Sequence, residues 1–479
     1  MRRFTFAQSV LLGGLLLGAA LRLYVAFTDD GIFWPDEIFQ SLEPAHRLVF
    51  GYGMVAWEFL EGARNWALPG FIAFWFKLCQ AFGLDAPAQY LGVTRTVFVA
   101  IAVGSGYGVW RLAKAAGAEE LPAAVAALSL MLSAPAIYFS HRAMAENASA
   151  LPVVLGLWLL FEKEPTRRQR ILGASLLGIA VLLRLQCGLF CVGALGVLLA
   201  RRQWRVALEV LGVLGVWALA YGALDAFTWA AAPGAKYGGW FHSALKYLQF
   251  NLIEGKASQW GTSPAAFYVR ALFSSMPGVA IALGVGLLLA LRRAPGLVLV
   301  GLLFLGAHSA IPHKELRFIL PVLPVLFAAA AVGYSQLLEA RRQVALVGVV
   351  LAAVVSAGRM RSLTFGDLGA YPDRKNVSAW DDYGPVFRLM LAASKFPDVC
   401  GLRIDVHLAW TGGSAYLHRN APLYMPGMAG ASPEYGLINY AIIGPNSGLP
   451  VVAKEGTLEL VRLPIAKCNP DPNYRWILP

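Results

Sequence analysis

The strongest constraint in this 479-residue sequence is a succession of apolar runs, several near 20 residues long, broken by short clusters of arginine and lysine. The hydrocarbon core of a bilayer takes a helix of about 20 residues, so repeated runs of that length belong to several spans and not to one large core. Composition agrees: 58% of the residues are hydrophobic and 14% charged, where soluble domains carry about a quarter charged. An ordinary soluble globular protein is excluded. The formal net charge of +12 fits cytoplasmic loops that obey the positive-inside rule, so membrane lipids are expected partners and nucleic acid is not.

The basic clusters set a topology. Met1-Arg2-Arg3 and the apolar run to Phe27 begin like a signal peptide, but no small-residue cleavage site closes the run. It reads as a retained first span with a cytoplasmic N-terminus. Further clusters stand at Arg111 and Lys114, Lys163 through Arg170, Arg201, Arg202 and Arg205, Arg292 and Arg293, and Arg341 and Arg342. Placing all of them in the cytoplasm predicts eleven spans near 7–27, 90–110, 121–139, 145–161, 171–185, 187–200, 206–227, 272–291, 295–311, 316–335 and 343–358, with the C-terminus outside. The apolar segment Ala67 to Leu84 would break this parity if it crossed, and it contains Lys77 and opens Ala-Leu-Pro-Gly. It is therefore expected to be a juxtamembrane or partly embedded helix on the outer side.

The expected organisation is a polytopic α-helical membrane module over 1–358, with a large first outer loop at 28–89, followed by a small extracytoplasmic domain over 359–479. That last part loses the long apolar runs and gains Pro, Asp, Asn and short β-like stretches such as Tyr440-Ala441-Ile442-Ile443, which suggests a mixed α/β domain. The five cysteines form no metal spacing. Cys400 and Cys468 are the pair available for a disulfide if their segment lies in an oxidising compartment.

Four outer segments collect the chemistry-bearing residues: 28–66, His141 to Asn147, 228–270 and Pro312 to Arg317. In the first, Trp34-Pro35-Asp36-Glu37 reads as a helix start. Proline suits the first helical position and carboxylates the first turn, so Asp36 and Glu37 have a capping role available as well as a catalytic one. Neighbours at i and i+1 diverge on a helix, so at most one of them points into a shared site. Glu58 and Arg64 follow, equally readable as an ion pair or as ligand-binding groups. Arg142, Glu146 and Asn147 at a span end, and Arg184 near another, are costly there unless paired, snorkelling or facing a wet cavity. The turn His313-Lys314-Glu315-Leu316-Arg317 falls outside by parity, where a cationic cluster has no topogenic reason to exist. Arg offers bidentate contacts and Lys a point charge to an anionic phosphate; headgroup binding by snorkelling side chains is the plainer alternative.

Together these features suggest one chemistry. A carboxylate takes the proton of a sugar hydroxyl while cations stabilise a departing lipid phosphate. A phosphate leaving group is weakly basic, so no second carboxylic acid is needed and a single displacement inverts the anomeric carbon.

The residues also carry a resemblance. Trp34-Pro35-Asp36-Glu37-Ile38-Phe39-Gln40 with Glu43 and His46, then Gly51, Gly53, Trp57-Glu58 and Arg64 before Pro69, resembles the first luminal loop of glycosyltransferase family 22. Further similar pieces are Asn251, Gly255-Lys256-Ala257-Ser258, Gly261-Thr262-Ser263-Pro264, Tyr268, His313-Lys314-Glu315-Leu316-Arg317-Phe318 with Pro321, Thr411-Gly412-Gly413 and Leu417-His418-Arg419. That family holds the dolichol-phosphate-mannose-dependent mannosyltransferases of N-glycan precursor and GPI-anchor assembly, in the membrane-embedded GT-C class. The resemblance implies a GT-C fold and a polyprenyl-phosphate-sugar donor, with a glycan or lipid-linked acceptor. It also implies that Asp36 is the base and that the outer turns bind lipid phosphate and sugar. The chain departs from the pattern at Trp34, commonly His, at Arg64-Asn65, usually Arg-Ser, and in the spacing of Arg142 to Asn147. The Ala, Leu, Gly and Arg bias suits a bacterial chain, with an undecaprenyl-type donor and a site facing the periplasm; a eukaryotic source would place it in the ER lumen.

Other expectations stay open at this level. The sugar is mannose, arabinose or glucose; a transporter or a noncatalytic scaffold is the reading from another class. No cofactor is indicated with certainty. Asp36, Glu37 and Glu58 could share a divalent cation, although no ligand spacing for one is legible.

Overall fold

The computed structural model describes residues 5–232, 234–369, 374–405, 411–425, 437–464 and 467–469. The basic start Met1-Arg2-Arg3 lies outside them. Each expected span coincides with helix: Phe6–Thr28, Pro87–Ala115, Glu120–Leu132 with Ala134–Tyr138, Ala145–Phe161, Arg167–Leu183, Gly188–Ala200, Trp204–Trp229, Phe267–Ser275 with Pro277–Ala290, Pro295–Ala310, Leu316–Val322 with Leu323–Tyr334, and Glu339–Gly358. Among the described residues, five helical segments are long and apolar enough to cross a membrane: Phe6–Thr28, Pro87–Ala115, Trp204–Trp229, Leu316–Tyr334 and Glu339–Ser362. Shorter apolar helices accompany them. The chain is a multi-pass membrane protein, and lipid-facing leucines such as Leu208, Leu211 and Leu219 stand exposed on the Trp204–Trp229 helix.

Contacts divide the chain into two compact units, one of residues 1–25, 96–231 and 235–379, the other of 26–95, 232–234 and 380–479. Residues 359–379 thus pack with the helices, through Ser274 Oγ donating to Asp367 Oδ1, the Tyr138 hydroxyl donating to the Ala379 carbonyl, and the isolated bridge between Thr364 and Ser378.

The helical unit is built on close backbone approaches and deliberate breaks. A Cβ on Gly156 would lie 2.8 Å from the Gly173 carbonyl, and one on Gly173 2.9 Å from the Gly156 carbonyl, the small-residue contact by which membrane helices pack. Thr166 and Gln169 form a reciprocal capping box at the start of Arg167–Leu183. Helices restart at prolines, as at Pro277 after Met276. Between Leu132 and Ala134 the chain also breaks, and there the buried Arg22 donates to the carbonyls of Met131 (2.6 Å) and of Gly18 in its own helix (3.1 Å). This guanidinium satisfies carbonyls that a helix end leaves open.

In the other unit, the first outer loop forms a short helix at Pro35–Glu37, a π turn at Ile38–Leu42 and a helix at Glu43–Phe50, closed by Gly51 at φ 82°. Helix Ala67–Ala81 packs on Glu43–Phe50. The C-terminal residues form a five-stranded mixed sheet of β1 Leu402–Ile404, β2 Leu423–Tyr424, β3 Tyr440–Ile443, β4 Val451–Glu455 and β5 Leu458–Arg462, ordered β2-β1-β3-β5-β4. The β1 strand runs parallel to β2 and β3, while β5 is antiparallel to β3 and β4. Helix Gly384–Ala393 covers this sheet, burying Phe387, Leu389 and Met390. Its Arg388 reaches Asp30 and Glu455, both at 2.8 Å. Cys400 and Cys468 form a disulfide, the pairing expected of them.

Candidate functional site

The carboxylates of the first outer loop are placed by the helix start the sequence announces. Pro35 occupies the first turn and Asp36 and Glu37 follow, as expected. Their directions differ. Asp36 is half-buried and accepts a hydrogen bond from Gln40 Nε2 at 2.7 Å; the same amide nitrogen donates to Glu58 Oε1 at 2.7 Å. One side-chain amide therefore bridges two carboxylates. Glu37 is buried and lies within electrostatic reach of Arg95 and Tyr416, which bond each other at 3.0 Å. Gln40 was not singled out in the sequence, although its i, i+4 spacing from Asp36 was the available signal.

Burial pushes the Glu58 carboxyl up to about 7; Arg64 pulls it back and Asp36 adds to the rise. Glu58 and Arg64 are thus coupled, as their spacing suggested. Behind them, the fully buried Glu43 accepts from the backbone N–H groups of Met54 (2.6 Å) and Ala415 (2.9 Å). Burial raises its pKa while those bonds oppose the rise. Gly413, at φ 58°, is required here: a Cβ would lie 2.5 Å from Glu43 Oε2. This gives the Thr411-Gly412-Gly413 motif a physical role, and His418 completes it by contacting His46.

The helical unit gathers a second charged cluster. Arg184 Nη2 and Arg317 Nη1 approach the same oxygen of Glu146, at 3.4 and 3.5 Å. Arg317 Nε also reaches Glu315 Oε2 at 2.7 Å, and His313 Nε2 lies 3.2 Å from Glu315 Oε1. Burial would raise the Glu315 carboxyl, but Arg317 and His313 outweigh it and hold it down at about 2. Lys314 donates to the carbonyls of Ser263 (2.7 Å) and Pro312 (3.4 Å), and Ser263 N–H donates back to Pro312. The Gly261-Thr262-Ser263 segment is thereby tied to the 312–317 turn. Arg142 is buried with its guanidinium 4.6 Å from the Tyr138 ring centre, and Asn147 Nδ2 donates to its carbonyl at 2.9 Å. The sequence presented His313, Lys314 and Arg317 as open cations; the fold meets two of them with Glu315 and Glu146, which sequence separation concealed in the case of Glu146. Among the described residues, no group of three His, Cys, Asp or Glu side chains is placed to hold a metal ion.

A helical membrane fold carrying such clusters is of the GT-C type. It is similar to ArnT from Cupriavidus metallidurans bound to undecaprenyl phosphate, with a TM-score of 0.63 at 14% identity over 98% of this chain and 100% of that one. It is also similar to the Archaeoglobus fulgidus oligosaccharyltransferase in complex with Zn and sulfate, with a TM-score of 0.53 at 12% identity over 91% of this chain and 68% of that one. At such identities the likeness is one of fold. Residues 15–368 match the Alg9-like mannosyltransferase family, and the chain belongs to that family. Its relatives include GPI mannosyltransferase 3 of Yarrowia lipolytica, 32% identical over 73% of this chain and 68% of the relative. Mannosyltransferase APTG1 of Arabidopsis thaliana is 28% identical over 66% of this chain and 58% of the relative. GPI alpha-1,2-mannosyltransferase 3 of Mus musculus is 28% identical over 67% and 58%. The chain thus spans between 58% and 68% of the length of these relatives.

Proposed function

We propose that the chain transfers mannose, with inversion, from a polyprenyl phosphate to a hydroxyl of a lipid-linked glycan or another extracytoplasmic acceptor. The observation that carries this reading is the Asp36 carboxylate, half-exposed and fixed by the Gln40 amide that also holds Glu58. A base that accepts the acceptor's O–H proton needs access on one side and a fixed orientation on the other. As that proton leaves, the acceptor oxygen bonds to the anomeric carbon and the C–O bond to phosphate breaks. The departing phosphate needs no proton, so one base suffices.

Glu37 is the second candidate carboxylate. Glu58 and Arg64 support the Asp36 carboxylate, while Arg142, His313, Lys314 and Arg317 supply the donor-binding charges. The eleven-span arrangement, with 359–479 extracytoplasmic and Ala67–Ala81 at the outer membrane surface, belongs to the same reading. The Cys400–Cys468 disulfide supports it, since disulfides persist in oxidising compartments. That compartment is the periplasm for a bacterial chain and the ER lumen for a eukaryotic one.

The test is turnover of purified protein with a polyprenyl phosphate mannose donor. Asp36→Asn is expected to lower kcat by roughly 10²–10⁴-fold with the fold intact, and Glu37→Gln to lower it much less. Near-wild-type turnover by Asp36→Asn overturns the assignment.

A further inference from the structure

The helical unit buries two polar atoms that no described residue satisfies: the Tyr268 hydroxyl and His308 Nε2. Both side chains are enclosed, at 2% and 5% exposure, and buried polar groups are rarely left without a partner. They come from different helices, Phe267–Ser275 and Pro295–Ala310, yet both lie within electrostatic reach of Arg184. Tyr268 is also within reach of Glu315 and Arg317, and His308 of Glu146. Two orphaned atoms therefore border the Arg184–Glu146–Arg317–Glu315 cluster.

The chemistry of the missing partner is legible. His308 Nδ1 lies 2.9 Å from the Phe304 carbonyl, so Nδ1 carries the proton and Nε2 presents a bare lone pair. The guest must donate to that nitrogen. Tyr268 can donate to the guest or accept from it. The phosphodiester of a lipid-linked sugar carries no O–H and can only accept, and the two arginines already face two carboxylates, so the cluster does not call for another anion. A hydroxyl both donates and accepts.

We propose that Tyr268 and His308 line a subsite for sugar hydroxyls, those of the donor hexose or of the acceptor glycan. This rests on the glycosyltransferase reading above and assigns two residues to substrate recognition that no motif marked for that role.

The experiment is calorimetric titration of the full-length protein and of Tyr268→Phe, which removes one hydroxyl and keeps the ring, with His308→Gln as a second variant. The probes are citronellyl phosphate mannose, the citronellyl methyl phosphate diester in which methyl replaces the sugar, and octyl α-mannoside. Tyr268→Phe is expected to weaken a mannose-bearing probe by roughly 3- to 10-fold, the loss of one hydrogen bond, with the methyl diester unchanged. Loss confined to citronellyl phosphate mannose assigns the subsite to the donor sugar; loss confined to octyl α-mannoside assigns it to the acceptor. Equal loss on the methyl diester and its mannose counterpart makes Tyr268 a phosphate contact and overturns the proposal. No change on any probe in either variant means that a buried water fills the site, which also overturns it. Wild-type protein that binds neither diester instead defeats the donor reading, while octyl α-mannoside still reports on Tyr268.

Discussion

The imidazoles of His46 and His418 meet at 3.0 Å, Nε2 to Nδ1, across 372 residues of sequence. His46 Nδ1 lies 3.2 Å from the Tyr52 carbonyl and donates to it, which leaves His46 Nε2 as the acceptor for His418. The rings of Phe50, Tyr52 and Tyr90 enclose the pair. Burial, with each positive neighbour adding to it, lowers His46 to about 3 and lowers His418; the charged groups acting on the pair include Arg419 and Asp85, with Glu43 nearby on the Glu43–Phe50 helix.

A histidine held below its ordinary value stabilises the fold above about pH 6.5, and that contribution is lost as pH falls toward the folded value. The unit of residues 26–95 and 380–479 is therefore expected to melt at progressively lower temperature between pH 7 and pH 5. The dependence approaches about 1.4 kcal/mol per pH unit for each proton taken up. Tryptophan-fluorescence melting would measure it, and His46→Phe should flatten the slope; an equal slope in that variant removes the pair from the account.

Gln40 makes a second expectation. Replacing it with Leu frees both carboxylates from a common donor, and misplacing a reacting group by about 1 Å can cost 10²-fold. Gln40→Leu should lower kcat by roughly 10- to 100-fold with little change in donor KM. A rise in KM at constant kcat would show that Gln40 serves binding instead.

Glu58 predicts a pH effect of the opposite sign to the histidines. Its folded value of about 7 lies above the ordinary carboxyl value of 4.5. The stability it contributes is whole below pH 4.5 and is lost as pH rises through 7. Glu58→Gln should therefore stabilise its unit at pH 8 by roughly 3 kcal/mol, from the 1.36 kcal/mol carried by each pKa unit. The same variant should remove an inflection near pH 7 from the kcat/KM profile, which steady-state rates between pH 5.5 and 8.5 would reveal.

Arg317 meets both Glu146 and Glu315, so its loss strands two enclosed carboxylates. Arg317→Met should cost about 3–5 kcal/mol near neutral pH. Glu315 is held low, and its contribution is present above pH 4.5 and lost as pH falls toward 2. The Arg317→Met penalty is accordingly expected to shrink at pH 4, where stranded carboxylates protonate. Paired thermal melts at pH 7 and pH 4 would check this, and a pH-independent penalty would contradict it.

The spans were legible because bilayer length and basic clusters are local signals, and the helix start at Pro35 because proline and first-turn carboxylates are local too. Glu146 facing Arg317, and Glu43 accepting from Ala415, were not legible. Their partners lie far away in sequence, and nothing in Arg317 itself says which carboxylate it will meet. Tyr268 appeared as part of a motif, but the orphaned state of its hydroxyl exists only once the helices are packed. The Cys400–Cys468 pair was readable by elimination, while the strand order around it depended on parallel pairings between distant segments.

The π turn at Ile38–Leu42 has a consequence for phase. Such a turn holds one residue more than an α-turn, and each residue advances a helix by about 100°. Upstream of the turn stands Asp36, and downstream His46, whose face is fixed by His418. Deleting a single residue from Ile38–Leu42 would let the segment relax into uninterrupted α-helix, yet rotate Asp36 by about 100° about the helix axis relative to His46. The chain would keep its helix and lose the aim of its carboxylate.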